Sequence, residues 1–171
     1  MDQNPETGVL SLDTGFSFEY LHPNDEDATP RDYFNFPDVL FPAFLTDSRR
    51  AKKDRVFAVR FLGASSAYPI DVLQEELVVN DTVGPQSLVI ITNPISKAVR
   101  AYDRGAHTFK PGSSAAELID ESGLIWRITE IGLEPNRGSE SIVERLPGHD
   151  AFWFGWFAAN PQTKLYSGSD K

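Results

Sequence analysis

The sequence predicts a mainly β fold: a compact antiparallel sheet or partial barrel, with one short aromatic helix near its end and an extended arm in front. Three observations predict it. From residue 55 onward, short β-type segments follow one another at close spacing, with turn residues between them. Before residue 55 no periodicity is sustained and prolines recur. A single run with helical character, rich in aromatic residues, occupies 151–159.

The elements follow in chain order. Residues 1–54 form the arm. It carries Pro5, Pro23, Pro30, Pro37 and Pro42, and proline both locks φ and removes a backbone donor, which disfavours helix and central strand alike. Aromatic residues are interleaved at 16–20 and 33–36, around an acidic run at 25–27, so the arm is expected to pack on its own domain or on a neighbour. Arg49, Arg50, Lys52 and Lys53 read as a solvated basic turn. Residues 55–171 form a single β-rich domain. Strands are expected at 56–62, where β-formers run up to Gly63, and at 76–79, leading into a turn at 80–84. Residues 87–92 lack polar alternation and read as a strand buried on both faces. Residues 98–103 alternate, which predicts one wet face, and 124–129 follow the Ser122-Gly123 turn as a further strand. The helix at 151–159 is expected to be capped by Asp150 or His149 and stopped by Pro161. On its wheel Phe152, Trp153, Trp156 and Phe157 share about 140° of arc, and Phe154 lies about 60° further round. A core-facing stripe needs about 100°. Trp153 and Trp156 are therefore expected in the core, and Phe152, Phe154 and Phe157 are candidates for contact with a partner or a membrane interface.

Composition excludes several chemistries. A chain of 171 residues is one domain's worth and buries enough surface to fold without a staple. It contains no cysteine, so its own residues supply no disulfide, thiolate metal ligand, iron–sulfur cluster or cysteine nucleophile. A net charge of −9 opposes binding to a phosphate backbone, so no nucleic-acid partner is expected. No apolar run approaches the roughly 20 residues of a membrane span. A basic region followed by an apolar one is missing at the start, which points to a cytoplasmic protein or to a leader already removed.

The block 55–167 carries an ordered set of short motifs: Ala67-Tyr68-Pro69-Ile70, Val79-Asn80-Asp81-Thr82-Val83-Gly84, Asn93-Pro94-Ile95-Ser96, Tyr102-Asp103-Arg104 and Trp153-x-x-Trp156. In that set it resembles the bacterial and archaeal family known as domain of unknown function 3179. Ala67-Tyr68-Pro69-Ile70 matches its Ala-Tyr-Pro segment, and Val79-Asn80-Asp81-Thr82-Val83-Gly84 matches the end of its His-Glu-Ile-Val-Asn-Asp signature. The strand at 89–92 leads into Asn93-Pro94-Ile95-Ser96, where the family has Cys-Pro-Leu-Cys, and Tyr102-Asp103-Arg104 follows. Asp120, Ser122 and Trp126 match the next strand, and Trp153-x-x-Trp156 with Asn160-Pro161 matches the closing helix. The resemblance places the family's histidine on Glu76 and its two cysteines on Asn93 and Ser96. A histidine and two cysteines suit a soft metal or a thiol redox pair, and neither is supplied by the residues present. The resemblance therefore implies a degenerate member that keeps the scaffold and has lost that chemistry. It also implies an extracytoplasmic setting.

The remaining polar residues form no catalytic constellation. Asp81 and Asp103 are candidates for a rebuilt pocket with Glu76, Asn93 and Ser96; the plainer expectation is that Asp81 closes a turn and Glu76 is solvated. His22, His107 and His149 lack metal-ligand spacing, and Asp120-Glu121 reads as turn chemistry. Ser65-Ser66 and Ser113-Ser114 lie in expected loops without a nucleophile elbow. No metal or cofactor is expected. The leading expectation is a non-catalytic accessory subunit that docks on a larger protein complex, by analogy a redox or electron-transfer assembly. The rival is an enzyme or small-ligand-binding domain using the pocket around Glu76, Asn93, Ser96 and Asp103.

Overall fold

A computed structural model describes residues 37–39, 43–138 and 141–168. The chain divides into two units, Met1–Phe36 and Pro37–Lys171. The aromatic and acidic segments of the arm at 16–36 lie outside the described residues. The second unit starts earlier than residue 55: the carbonyls of Lys52 and Asp54 accept from the N–H groups of Phe154 and Trp153 at 2.9 and 2.8 Å, and Arg49 reaches the carbonyl of Thr163.

The described residues of this unit form twelve strands: β1 (Arg55–Phe61), β2 (Ala64–Pro69), β3 (Val78–Val83), β4 (Gln86–Thr92), β5 (Val99–Asp103), β6 (Lys110–Pro111), β7 (Glu117–Ile119), β8 (Ile125–Ile128), β9 (Gly132–Pro135), β10 (Val143–Leu146), β11 (His149–Phe152) and β12 (Lys164–Leu165). The described residues also form two short helices, α1 (Ile70–Glu75) and α2 (Trp153–Ala159). The strands form a four-stranded sheet, β11-β1-β2-β12, and an eight-stranded sheet, β3-β4-β5-β10-β9-β8-β7-β6. Among the described residues the pairings are antiparallel except β12 on β2.

Three apolar clusters stack through these layers. α2 covers the outer face of the small sheet, where Trp153 and Trp156 pack on Val56, Ala58 and Ala67. The opposite face presents Phe57, Val59 and Tyr68 to Val79, Leu88, Ile90 and Ala101 of the large sheet. The far side of β4 and β5, with Val89, Ile91 and Tyr102, meets Leu118, Trp126 and Leu133 as the large sheet curls round. β4 is buried on both faces, as its lack of polar alternation predicts. β5 differs from its expected half-wet character. Ala101 and Tyr102 are successive residues pointing to opposite faces, and both are buried, because β5 lies between two clusters.

Other expectations are corrected in the same way. Residues 80–83 are strand and not turn; the reversal falls on Gly84 and Pro85, where φ is +59° and a Cβ on Gly84 would lie 2.9 Å from that of Ala64. Ser65 and Ser66 sit in β2 rather than in a loop, and their small side chains suit its buried position. Residues 149–152 form β11, so neither His149 nor Asp150 caps the helix: α2 begins after Phe152 without a side-chain cap. Asp150 pairs instead with Arg55 on the neighbouring strand.

The large sheet closes towards a barrel through a side chain. Asn80 on edge strand β3 donates its amide to the carbonyl of Phe109 at 2.8 Å and accepts from the Phe109 N–H at 2.9 Å. Its carboxamide thus replaces a missing backbone bridge between β3 and the segment entering β6, the opposite edge of the sheet.

Candidate functional site

Glu76, Asn93 and Ser96, the residues that the resemblance sets at the family's histidine and cysteines, lie at one end of the β3–β4–β5 meander. Asn93 to Ala98 form a hairpin loop in which Asn93 N–H bonds the Ala98 carbonyl and Lys97 N–H the Asn93 carbonyl, both at 2.9 Å. Lys97 adopts φ +60° to complete the loop. The Asn93 side chain folds onto this loop: its Oδ1 accepts from the N–H groups of Ile95 and Ser96 at 2.9 Å each. Ser96 Oγ accepts from the Ala98 N–H. Glu76 stands beside Asn93 along the backbone, since the Thr92 N–H donates to the Leu77 carbonyl. Its carboxylate is drawn to the C-terminal segment, where it accepts from the Tyr166 hydroxyl at 2.8 Å, so the expectation of a merely solvated Glu76 is corrected.

Asp81 and Asp103 occupy a different row. Both pair in register with Leu88, from either side, which separates their Cα atoms by about 10 Å. That row is four residues, about 13 Å, from the Thr92–Val99 row at which the hairpin of Asn93 and Ser96 starts. Asp81 lies inside a strand and accepts from the buried Tyr68 hydroxyl at 2.7 Å, a strand-to-strand link in place of the expected turn closure. Burial first, and then the Asp81 carboxylate, push the Tyr68 hydroxyl pKa upward. Asp103 accepts from the Gly105 N–H at the start of the next loop. The structure therefore brings Glu76 near Asn93 along the backbone, and leaves Asp81 and Asp103 at the other end of the meander.

Two features of this region were not legible as sites. A cleft of about 230 Å³ lies beside the hairpin, lined by Thr92, Pro94, Pro111, Ser113 and Leu118. The Thr92 hydroxyl is buried without a hydrogen-bond partner among the described residues. Further along, Asp120 is buried and accepts four hydrogen bonds, from the N–H groups of Ser122 and Leu124, the Ser122 hydroxyl and the Trp126 indole. Burial opposes its ionisation, but the Ser122 and Trp126 donors and the two backbone N–H groups outweigh it and hold the pKa at about 2. The His107 ring packs on Trp126 and Phe109, with Nδ1 3.7 Å from the carboxylates of Asp120 and Glu121.

The aromatic end of the small sheet is the second candidate surface. Phe152 and Phe154 stack at 6.2 Å, nearly parallel, and both are half-buried. Phe154 borders a groove of about 820 Å³ with Thr46, Asp47, Arg50, Lys52 and Trp153. Phe157 lies against Trp153, and the Arg49 guanidinium covers both rings at 5.7 and 5.2 Å. The basic cluster is thus internally engaged: Arg49 pairs with Asp47, Arg50 with Asp54 and Asp71, and Lys52 with Asp38.

A family model described as "Protein of unknown function (DUF3179)" matches residues 1–163. The chain belongs to this family. The DUF3179 match extends through the arm as well as the β-rich unit, and so exceeds the block at 55–167 on which the sequence resemblance rests. No curated protein and no solved structure matches the chain. Among the described residues, no helix is long and apolar enough to cross a membrane.

Proposed function

We propose that this DUF3179 protein is a non-catalytic structural and interaction module, an accessory subunit that docks on a larger protein assembly. The observation that carries the reading is the state of Asn93. At the position the resemblance gives to a family cysteine, its side-chain oxygen accepts from two backbone N–H groups of its own loop, a role that shapes a hairpin. Ser96, at the second such position, accepts from the Ala98 N–H of the same loop. The stacked Phe152–Phe154 pair supports docking, because aromatic residues, Phe among them, are enriched at protein interfaces relative to the rest of the surface. A redox or electron-transfer complex is the host that analogy favours.

Gentle affinity purification of the native protein from its own organism, followed by mass spectrometry, tests this. Stoichiometric co-purification with other subunits is expected, together with their loss from a Phe154→Ser variant that keeps its circular dichroism spectrum. Recovery as a lone monomer, or partners retained by the folded variant, overturns the reading. The cleft beside Thr92 and Pro94 favours a second reading, a small-ligand-binding domain, which a metabolite screen by thermal shift would reveal.

A further inference from the structure

A separate cleft opens where β1 outruns its neighbour. β1 pairs with β11 from Arg55↔Phe152 to Ala58↔His149 and then continues to Phe61. The chain preceding His149 leaves that line, and Leu146 pairs with Ala101 of β5 instead. The gap has a volume of about 330 Å³ and is lined by Arg60, Gly148, His149, Trp156 and Asn160. That is at the lower end of the range for small-molecule sites.

The walls of this cleft are built. A Cβ on Gly148 would lie 2.4 Å from the Phe57 ring and 3.1 Å from Val59, so only glycine lets the chain pass this close to β1. Trp156 is fixed by donating its indole N–H to Thr163 Oγ1 at 2.9 Å. The His149 ring meets it edge-on at 5.5 Å. Ala58 faces His149 in register, and Arg60 is two residues further along the same strand face, which puts Arg60 and His149 at diagonal positions. Asn160 donates its amide to the Trp156 carbonyl at 3.2 Å.

Charge then selects the ligand. In this acidic chain Arg49, Arg50, Arg55, Arg100, Arg127 and Arg145 each face a carboxylate, Arg104 bonds the carbonyls of Gly105 and His107, and Arg137 is exposed outside any cleft described above. Arg60 has no ion pair or hydrogen bond among the described residues, although it lies in a cleft beside an imidazole and a carboxamide. A guanidinium is a planar fork of donors that matches the two oxygens of a carboxylate or a phosphate. We propose that this cleft binds the oxyanion group of a small molecule, carboxylate or phosphate, with Arg60 as its principal donor, His149 as its second contact and the Trp156 ring as the wall against which the rest of the ligand lies. This does not depend on the docking reading, since neither Phe152 nor Phe154 lines the cleft.

Isothermal titration calorimetry of the full chain tests it, with inorganic phosphate and benzoate titrated separately at an ionic strength held constant with chloride. Saturable one-to-one binding of at least one probe is expected, weakened about tenfold or more in Arg60→Ala, the loss that follows from one charge-assisted hydrogen bond. Arg100→Ala, which removes an arginine elsewhere, should bind as the unaltered protein does. Phosphate alone binding identifies a phosphorylated ligand, and benzoate alone a carboxylate seated on Trp156. Absence of saturable binding by either probe, unchanged binding in Arg60→Ala, or equal weakening in both variants overturns the proposal. Arg60 is exposed and makes no ion pair or side-chain hydrogen bond among the described residues, so its replacement is expected to leave folding intact.

Discussion

Asp120 shows how much one side chain organises here. The carboxylate shapes the turn into β8 by accepting from Ser122 and Leu124, and it anchors the buried Trp126 indole through a 3.0 Å bond. Asp120→Asn replaces one oxygen by a donor that faces other donors, so it is expected to cost about 1.5–3 kcal/mol, the range for hydrogen bonds to a charged group. Urea unfolding at neutral pH checks this through a lowered midpoint at unchanged slope. The same residue sets a pH dependence. Its folded pKa of about 2 lies below the ordinary 3.8, so its contribution is complete above the ordinary value and is lost as pH falls towards 2. The unaltered protein should lose stability between about pH 4 and pH 2, and Asp120→Asn should lose less over that window. Equal losses in the two proteins would remove Asp120 from the account.

At the scale of elements, β3 and the segment entering β6 are the two edges that an open sheet would leave unpaired. Asn80 joins them with one carboxamide that both donates and accepts. Phe109 is 1% exposed, so Asn80→Leu would strand a buried N–H and a buried carbonyl. At about 1–3 kcal/mol for each unsatisfied group, a loss of at least ~2 kcal/mol is expected. Amide hydrogen exchange at Phe109 should rise more than exchange in the middle of β4. Protection retained at Phe109 would mean that other contacts hold the sheet closed. The helix α2 follows the same logic. Seven residues are too few to be helical alone in water, and its stability comes from burying Trp153 and Trp156 on the small sheet.

For the whole molecule, one cluster joins the two sheets: Phe57, Val59 and Tyr68 from the small sheet meet Val79, Leu88 and Ile90 from the large one. Neither sheet can keep its inner face dry without the other, so the β-rich unit should unfold in one step. Ile90→Ala empties a fully buried site and is expected to cost about 2–5 kcal/mol. Probes of Trp153 on the helix side and Trp126 in the curled sheet should report the same lowered midpoint. Two separated transitions would show that the sheets fold independently.

Local signals in the sequence determined the β-rich class, the strands at the centre of the sheets and the aromatic helix. Runs such as 56–62 and 87–92 are so apolar that any fold must bury them, and Trp153 with Trp156 marks a helix face by its spacing alone. Neighbouring motifs in the family's order are what carry the resemblance, and through it the assignment of Glu76, Asn93 and Ser96 to the family's histidine and cysteine positions rests on sequence alone. Only the tertiary structure decided the rest. Asn80 and Asp81 carry turn chemistry locally, but pairing with β4 outweighs it, since a strand edge offers more backbone bonds than a turn does. His149 and Asp150 read as helix caps until β1 recruits them into β11. The separation of Asp103 from Asn93, and the meeting of Arg60, His149 and Asn160 in one cleft, arise from register and from where β11 stops. Those are contacts between residues far apart in the chain, and no local pattern encodes them.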